Sequence, residues 1–225
     1  MTDTSQATRL PPPVLPPVDH LPSVMLQRTI LVALNAIPDE LKTHGIRWTY
    51  VHMVRLTEKA IREYNAARNA YAEADSIDES EEGDSVWVRK AHLAGCGTDH
   101  LDTCVDATHR AITAAKRLFG KGIGSAADLP DQDASNRLNA IRDAMQHADD
   151  RLMADNLRAG RLPFGPGDPF GINPREDELT IGAEKPVRYV ELVGLMESCY
   201  RFADVGGTMS PSGEITFQVR AARGQ

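Results

Sequence analysis

Apolar residues recur at every third or fourth position in several segments of the chain, which is the spacing of an α-helix with one buried face. This pattern predicts a first helix over 23–37, which Pro38 ends, and a second helix over Thr49–Ser76. A longer third helix is predicted over Val86–Phe119, where Gly95-Cys96-Gly97 permits an interruption. Its second half has the clearest period, with inward positions at Leu101, Cys104, Val105, Thr108, Ile112, Ala115 and Phe119.

A fourth helix, predicted over Ser135–Arg158, is the most informative segment. Either Ser135 or Asp133 has the side chain expected of a helix cap at its start, and Gly160 follows its end. The residues of its apolar face are Leu138, Ile141, Met145, Ala148 and Leu152. Its other side is polar, so this helix buries one face and leaves charged side chains for solvent or a partner.

The C-terminal part of the sequence combines one helix with two short strands. Val187–Ala203 is apolar nearly all round, which is typical of a central, buried helix. Glu178–Ile181 and residues 214–220 are predicted strands that can pair with each other. A loop rich in Gly and Pro, over 160–177, precedes them.

These elements together predict the fold class and the domain organisation. The fold is expected to be all-α, a bundle of four to five helices with a small two-stranded β appendage near the C-terminus. Residues 23–225 are predicted to form a single helical domain containing the loop 160–177 and the C-terminal strand 214–220. Residues 1–22 are rich in proline and predict a tail that is flexible or lies against the domain.

Charge narrows the class of partner. The net charge is −7, whereas proteins that grip long duplex nucleic acid usually carry a basic excess, because their affinity comes from neutralising phosphates. Contact with nucleic acid would therefore be local. The chain has 19 Arg against 6 Lys, and the planar guanidinium group is the better partner for a single phosphate.

The cysteine content and the lack of long apolar runs indicate the compartment. Cys96, Cys104 and Cys199 are too few, and odd in number, for a disulfide framework. The first residues show no basic segment followed by an apolar run, and no stretch approaches the ~18 consecutive apolar residues of a membrane span. We therefore expect a cytoplasmic protein without a membrane partner.

Arg142 and His147 on the fourth helix are the candidate catalytic residues. A histidine with a pKa near neutrality can take the proton of an RNA 2′-hydroxyl or give one to the leaving 5′-oxygen. A guanidinium group can stabilise the extra negative charge of the transition state at phosphorus. The substrate's own hydroxyl is the nucleophile in such a reaction, so neither a metal nor another cofactor is expected.

The stretch Ile141-Arg-Asp-Ala-Met-Gln-His-Ala-Asp-Asp-Arg-Leu152 resembles the signature helix of the HEPN superfamily. That signature is an Arg, four to six residues, then a His, often with a polar residue directly after the Arg. Here Asp143 follows Arg142, and His147 lies at the four-residue spacing. The order of the predicted helices is also similar to that of the superfamily.

The resemblance implies a helical bundle that forms a homodimer, in which Arg142 and His147 line a composite ribonuclease site. It also implies RNA as substrate and a role in a toxin–antitoxin or antiphage defence system, with an antitoxin or another defence protein as partner. Some toxin branches have a Tyr two positions after the His, but Asp149 stands there in this chain. The Arg-x4-His spacing also occurs at Arg47 and His52, so the spacing alone is not specific.

Two other interpretations of the polar residues stay open. The superfamily includes inactive binding modules, so the chain can instead be a non-catalytic interaction or regulatory protein that binds a protein or nucleotide partner. A second set, His92, Cys96, His100 and Cys104, recurs every fourth position of the third helix. Neighbouring members can share a zinc ion, but four such ligands along one straight helix cannot surround a single ion.

Overall fold

The computed structural model describes residues 13–21, 32, 37, 39–77, 84–146, 173–181, 184–203, 208–209 and 215–216. Four α-helices lie in this part of the chain: α1 (His44–Ser76), α2 (Asp84–Phe119), α3 (Gln132–Gln146) and α4 (Tyr189–Ala203). They pack on one another, with short 3₁₀ turns at Asp39–Leu41 and Ala126–Asp128. The predicted fold class, an all-α bundle with a small β appendage near the C-terminus, is confirmed.

Helices α1 and α2 form a long antiparallel pair. His100 of α2 pairs with Glu63 of α1 at 2.8 Å, while Arg89, earlier in α2, lies 3.5 Å from Glu73, later in α1. Helix α1 begins at His44, five residues before the predicted start, and α2 continues through residues 95–97 without a break. The buried residues of α1 recur at helical spacing: Tyr50, Met53, Val54, Leu56, Thr57, Ala60, Ile61, Tyr64, Ala67 and Tyr71.

Helix α3 is the described part of the predicted fourth helix. It begins at Gln132 and is described to Gln146, and residues 147–158 of the predicted helix lie outside the described residues. The prediction that Ser135 or Asp133 caps this helix is wrong, because Asp131 Oδ1 accepts the Ala134 N–H at 2.8 Å. Asp131 stands one position before the first helical residue, where its carboxylate meets an N–H group that has no helical acceptor.

The core lies between α1, α2 and α4, and α3 closes one side of it. The largest fully buried side chains include Tyr50, Tyr64, Tyr189, Phe202, Leu138 and Ile141. Two tyrosine hydroxyl groups donate to backbone carbonyls: Tyr50 of α1 to Ala203 of α4 at 2.7 Å, and Tyr189 of α4 to Arg175 at 3.0 Å. The predicted buried helix near the C-terminus is therefore α4, which begins two residues after its expected start.

Five short strands form two separate sheets among the described residues. β1 (Asn173–Pro174), β2 (Glu178–Thr180) and β3 (Val187–Arg188) form an antiparallel sheet in the order β1-β2-β3. β4 (Thr208–Met209) pairs with β5 (Ile215–Thr216), the described part of the predicted strand 214–220. The predicted pairing of 178–181 with that strand is wrong, because β1 and β3 occupy both hydrogen-bonding edges of β2.

Residues 13–21, expected within a flexible or domain-hugging tail, lie against the bundle. The side chains of Leu15 and Val18 are buried in the core, and the Val14 N–H donates to the Glu176 carbonyl at 2.7 Å. Asp19 pairs with Arg68 of α1 at 3.2 Å. The proline-rich segment is thus part of the packed domain from residue 13. Of the predicted helix 23–37 only Val32 and Ile37 are described, and both are buried.

Candidate functional site

Arg142 lies where α3 packs against α2. Leu138, Ile141 and Ala144 are buried on the inner face of α3, as the apolar pattern of this helix predicts for the first two. Arg142 follows Ile141 directly, so its side chain leaves the helix at the edge of that face. Only 22% of the side chain is exposed. The guanidinium group therefore lies in the seam between two helices and not on an open polar surface.

Two carboxylates hold the guanidinium group of Arg142. Its Nη1 donates to Asp143 Oδ1 at 3.2 Å, and its Nε lies 3.6 Å from Asp106 Oδ1 of α2. The Nε atom is buried, and none of the described residues accepts a hydrogen bond from it. Asn139 donates to the other oxygen of Asp143 at 3.0 Å, which fixes that carboxylate in place. Within the described residues, Nη1 of Arg142 thus has a hydrogen-bond acceptor and Nε has none.

His147, the second predicted catalytic residue, lies outside the described residues. It follows Gln146, the last described residue of α3. Its distance from Arg142 and its surroundings are therefore not part of the site as described. The prediction that Arg142 and His147 form a catalytic pair stays a prediction.

His109 of α2 is a half-buried histidine beside Arg142 that the sequence analysis did not single out. Burial lowers its pKa, the positive charge of Arg142 lowers it further, and the charges of Asp143 and Asp106 oppose this change. Its Nδ1 is buried, and no described residue makes a hydrogen bond to it. The seam therefore holds a neutral imidazole next to a guanidinium group at pH 7.

The chemistry available in this seam follows from those two groups. A neutral imidazole accepts protons, and a guanidinium group binds a phosphate oxygen. A phosphate that approaches Arg142 competes with Asp106 and Asp143 for the donors of the guanidinium group. The negative charges of the two carboxylates also repel the phosphate. The seam is thus suited to an anionic ligand that takes the place of one carboxylate beside Arg142, and it does not favour weak, unspecific binding of anions.

One signal in the sequence pointed toward His109. On α2, Val105, Thr108 and Ile112 form the buried face, and Asp106 and His109 each follow one of these residues. Residues at the edge of an apolar face are the ones that meet a neighbouring helix. The sequence does not say which helix that is, so the approach of His109 to Arg142 could only come from the fold.

The four candidates for a metal site on α2 do not converge. His92 Nε2 and Cys96 Sγ lie 3.7 Å apart, but His100 pairs with Glu63 at 2.8 Å. Cys104 is buried in the core, where burial raises the pKa of its thiol to about 12. Among the described residues no group of three or more His, Cys, Asp or Glu side chains is placed to hold a metal ion.

Arg47 and His52 repeat the Arg-x4-His spacing but point in different directions. Arg47 Nη2 donates to the Val32 carbonyl, so this guanidinium group holds a neighbouring segment. His52 is exposed on the outer side of α1. Slight desolvation of the ring, and then the charges of Arg110 and Arg55, lower the pKa of His52. This second match therefore forms no Arg–His site within the helix.

Comparisons with known proteins leave the chain without a match. No protein-family model, no curated protein and no solved structure matches it. No helix within the described ranges is both long and apolar enough to span a membrane.

Proposed function

We propose that this protein is a metal-independent endoribonuclease of the HEPN type, with Arg142 and His147 as its catalytic residues. The observation that carries the proposal is the position of Arg142, half-buried on the signature helix with an Nε donor to which no described residue bonds. Such a donor is a preorganised partner for developing negative charge, since it loses little solvation when the phosphate arrives.

The proposed reaction cleaves one phosphodiester bond of RNA. His147 takes the proton of the 2′-hydroxyl, the 2′-oxygen forms a bond to phosphorus, and the bond from phosphorus to the 5′-oxygen breaks. The protonated His147 then gives this proton to the 5′-oxygen, and the products are a 2′,3′-cyclic phosphate and a 5′-hydroxyl. Arg142 stabilises the negative charge on the non-bridging oxygens during this step.

A homodimer is part of the proposal, because one helix cannot close the site. Five positions on an ideal helix separate two side chains by about 140°, so Arg142 and His147 of one chain would diverge if the predicted helix continues past Gln146. A second copy of the helix can supply the missing group. We further propose a cytoplasmic protein in a toxin–antitoxin or antiphage system, with an antitoxin or a defence protein as its natural partner.

The first test is cleavage of an end-labelled single-stranded RNA in the presence of EDTA. We expect cleavage by the wild-type protein and a loss of at least about 100-fold in Arg142→Ala and in His147→Ala, the range of an essential acid–base or charge-stabilising group. Arg89→Ala, an exposed change at the start of α2, is the matched control and keeps full activity. Equal cleavage by all four proteins would rule out the assigned site.

The composite site has its own test, co-expression of Arg142→Ala and His147→Ala chains with different tags. A mixed dimer contains one site with neither substitution if Arg and His come from opposite chains. It contains no intact site if both come from the same chain. Recovery of activity in the purified mixed dimer supports the shared site, and no recovery contradicts it.

One observation favours a second candidate function, a non-catalytic interaction protein that binds a protein or nucleotide partner. Arg142 is already paired with Asp143 and Asp106, as in a purely structural ion cluster. The net charge of −7 also disfavours unspecific binding of RNA. Intact RNA after incubation with wild-type protein, together with a defined oligomer, would favour this function.

A further inference from the structure

The outer side of α1 carries aromatic and basic side chains in one line. Positions 44, 48, 52, 55 and 59 are separated by four, four, three and four residues, so they fall within about 80° of one another around the helix. The buried residues of α1, such as Met53 and Tyr64, lie on the opposite side. We call this line the α1 strip, and its members are His44, Trp48, His52, Arg55 and Lys59.

The aromatic part of the strip is open to solvent. Trp48 is 56% exposed, although an indole ring normally gains by burial. The ring of His44 meets it edge-on, with ring centroids 6.0 Å apart, so one face of the indole is not covered by that neighbour. Exposed aromatic rings at the surface of a folded domain are a common feature of binding sites.

The strip has two formal positive charges, those of Arg55 and Lys59, on an acidic protein. The chain has 32 Asp and Glu against 25 Lys and Arg, yet none of the five positions of the strip is acidic. Arg110 of α2 adds to this charge, since its guanidinium group is near enough to His52 to lower the pKa of that imidazole. Glu63 borders the strip but already accepts hydrogen bonds from Arg62 and His100.

The strip continues to the candidate site through α2. Arg110 lies 3.4 Å from Asp106 Oδ2, and Asp106 Oδ1 lies 3.6 Å from Arg142 Nε. His52, Arg110, Asp106 and Arg142 therefore follow one another across the surfaces of α1, α2 and α3. A chain molecule that lies on the α1 strip and crosses from His52 to Arg110 would reach the seam that holds Arg142.

We propose that the α1 strip binds single-stranded RNA and leads it to Arg142, with bases stacked on Trp48 and phosphates on Arg55, Lys59 and Arg110. This inference rests on the proposed function, of which it names the substrate class. Stacking on an aromatic ring requires unpaired bases, which duplex RNA does not offer. Along the strip the rings of His44, Trp48 and His52 come first and the cations of Arg55 and Lys59 follow, so the strip offers surfaces for bases and for phosphates.

The test measures binding of a fluorescein-labelled 12-nucleotide single-stranded RNA by the full-length His147→Ala protein, which prevents cleavage during the titration. In that background we expect Trp48→Ala to weaken binding about tenfold or more, the size of one lost stacking contact. Arg55→Glu with Lys59→Glu is expected to weaken it at least as much and to reduce the salt dependence by about two phosphate contacts.

The matched control reverses two charges elsewhere on the surface. Arg89→Glu with Lys90→Glu, near the start of α2, changes the net charge by the same amount and leaves the α1 strip intact. Equal weakening by both double variants would mean that only net charge matters, and it would overturn the proposal. Circular dichroism shows whether each variant is folded, and Trp48→Phe, which keeps a ring, is expected to retain most of the binding.

Tryptophan fluorescence gives a second measurement of binding, in a protein in which Trp48 itself is unchanged. The chain has two tryptophans, so Trp87→Phe leaves Trp48 as the reporter. Stacking of a base is expected to quench its emission, and an unchanged emission at saturating RNA contradicts the proposal. Equal affinity for a 12-base-pair duplex would likewise overturn it. Binding of a protein partner to the strip, in the absence of RNA binding, would assign the surface to a different class of ligand.

These outcomes are distinct from failure of the nuclease assignment. If RNA binds the strip but is not cleaved, the proposed nuclease activity is wrong and the proposed binding surface stands. If cleavage depends on Arg142 but the strip variants bind RNA with wild-type affinity, the proposed binding surface is wrong and the proposed nuclease activity stands.

Discussion

Arg137 of α3 and Glu191 of α4 form an ion pair with two parallel hydrogen bonds, each 2.9 Å long. Each side chain is only 20% exposed. Arg137 Nη1 also donates to the Pro186 carbonyl at 2.9 Å, just before α4 begins. The pair therefore fixes the first turn of α4 against α3, the helix that carries Arg142.

Removing this pair is expected to destabilise the fold. Arg137→Ala removes both hydrogen bonds that Arg137 donates to the Glu191 carboxylate and the one that it donates to the Pro186 carbonyl, and we expect the free energy of unfolding to fall by about 1–3 kcal/mol. Urea denaturation followed by circular dichroism measures the change. Arg188→Ala is the control, because Arg188 also contacts Glu191 but is 58% exposed, so its loss should cost less than about 1 kcal/mol. An equal loss of unfolding free energy in Arg137→Ala and Arg188→Ala would contradict the stabilising role of the Arg137–Glu191 pair.

The same pair makes stability depend on pH in the acid range. The hydrogen bonds from Arg137, helped by Arg188, lower the pKa of Glu191 to about 2. A carboxyl group whose pKa is lower in the folded protein stabilises it above the pKa of the unfolded chain, and this contribution disappears as the pH falls toward 2. The stability difference between wild type and Glu191→Gln should therefore be constant above pH 5 and shrink below it. A difference that stays constant down to pH 3 would contradict this.

The long helices were predictable because each must bury one face, and burial leaves a period in the sequence. The ends of α1 at Ser76 and α2 at Phe119 agree with that period. The start of α1 was missed, because its first turn carries Trp48 and His44 outward and adds no early apolar signal. The prediction of strand pairing failed because strands of two or three residues have too few positions to show an alternating pattern.

The candidate site was predictable only as far as its own helix. Arg142 follows from the pattern of α3, since a polar residue next to Ile141 lies at the edge of the buried face. His109 and Asp106 join it only because α2 packs there. Contacts between helices depend on the whole core and leave no local pattern in the sequence, so that half of the site follows from the fold alone.

The crossing of α1 and α2 near Tyr71 depends on Gly97. A Cβ at this position would lie 2.8 Å from Tyr71 Cζ, and this side chain is buried, with its hydroxyl hydrogen-bonded to Thr98 Oγ1 at 3.1 Å. Gly97→Ala is therefore expected to overpack the interface and cost about 1–3 kcal/mol. Gly95→Ala, two positions earlier with open space around it, should stabilise α2 by about 0.5–1 kcal/mol. Thermal unfolding of the two variants should shift in opposite directions, and shifts of the same sign would contradict the close contact.

His109 should make the fold less stable as the solution becomes acidic. Burial and the charge of Arg142 lower its pKa, so between that pKa and the ordinary value of 6.5 the unfolded chain binds a proton that the folded protein does not. Wild type is thus expected to lose stability relative to His109→Gln as the pH falls from 7.5 to 5.5. Urea titrations of both proteins at four pH values measure this, because the other histidines cancel in the difference. Parallel curves would show that His109 is not held in its neutral form.

The three thiols should differ sharply in reactivity. Cys104 and Cys199 are fully buried, and burial raises the pKa of both to about 12, so neither offers a thiolate near pH 8. Cys96 is half-buried on α2, beside His92, and is the accessible one. Iodoacetamide at pH 8 should therefore modify the native protein once and the urea-unfolded protein three times, as counted by mass spectrometry. Cys96→Ser should abolish the single native modification, and labelling of Cys104 or Cys199 at a comparable rate would contradict the packing of α2 against α4.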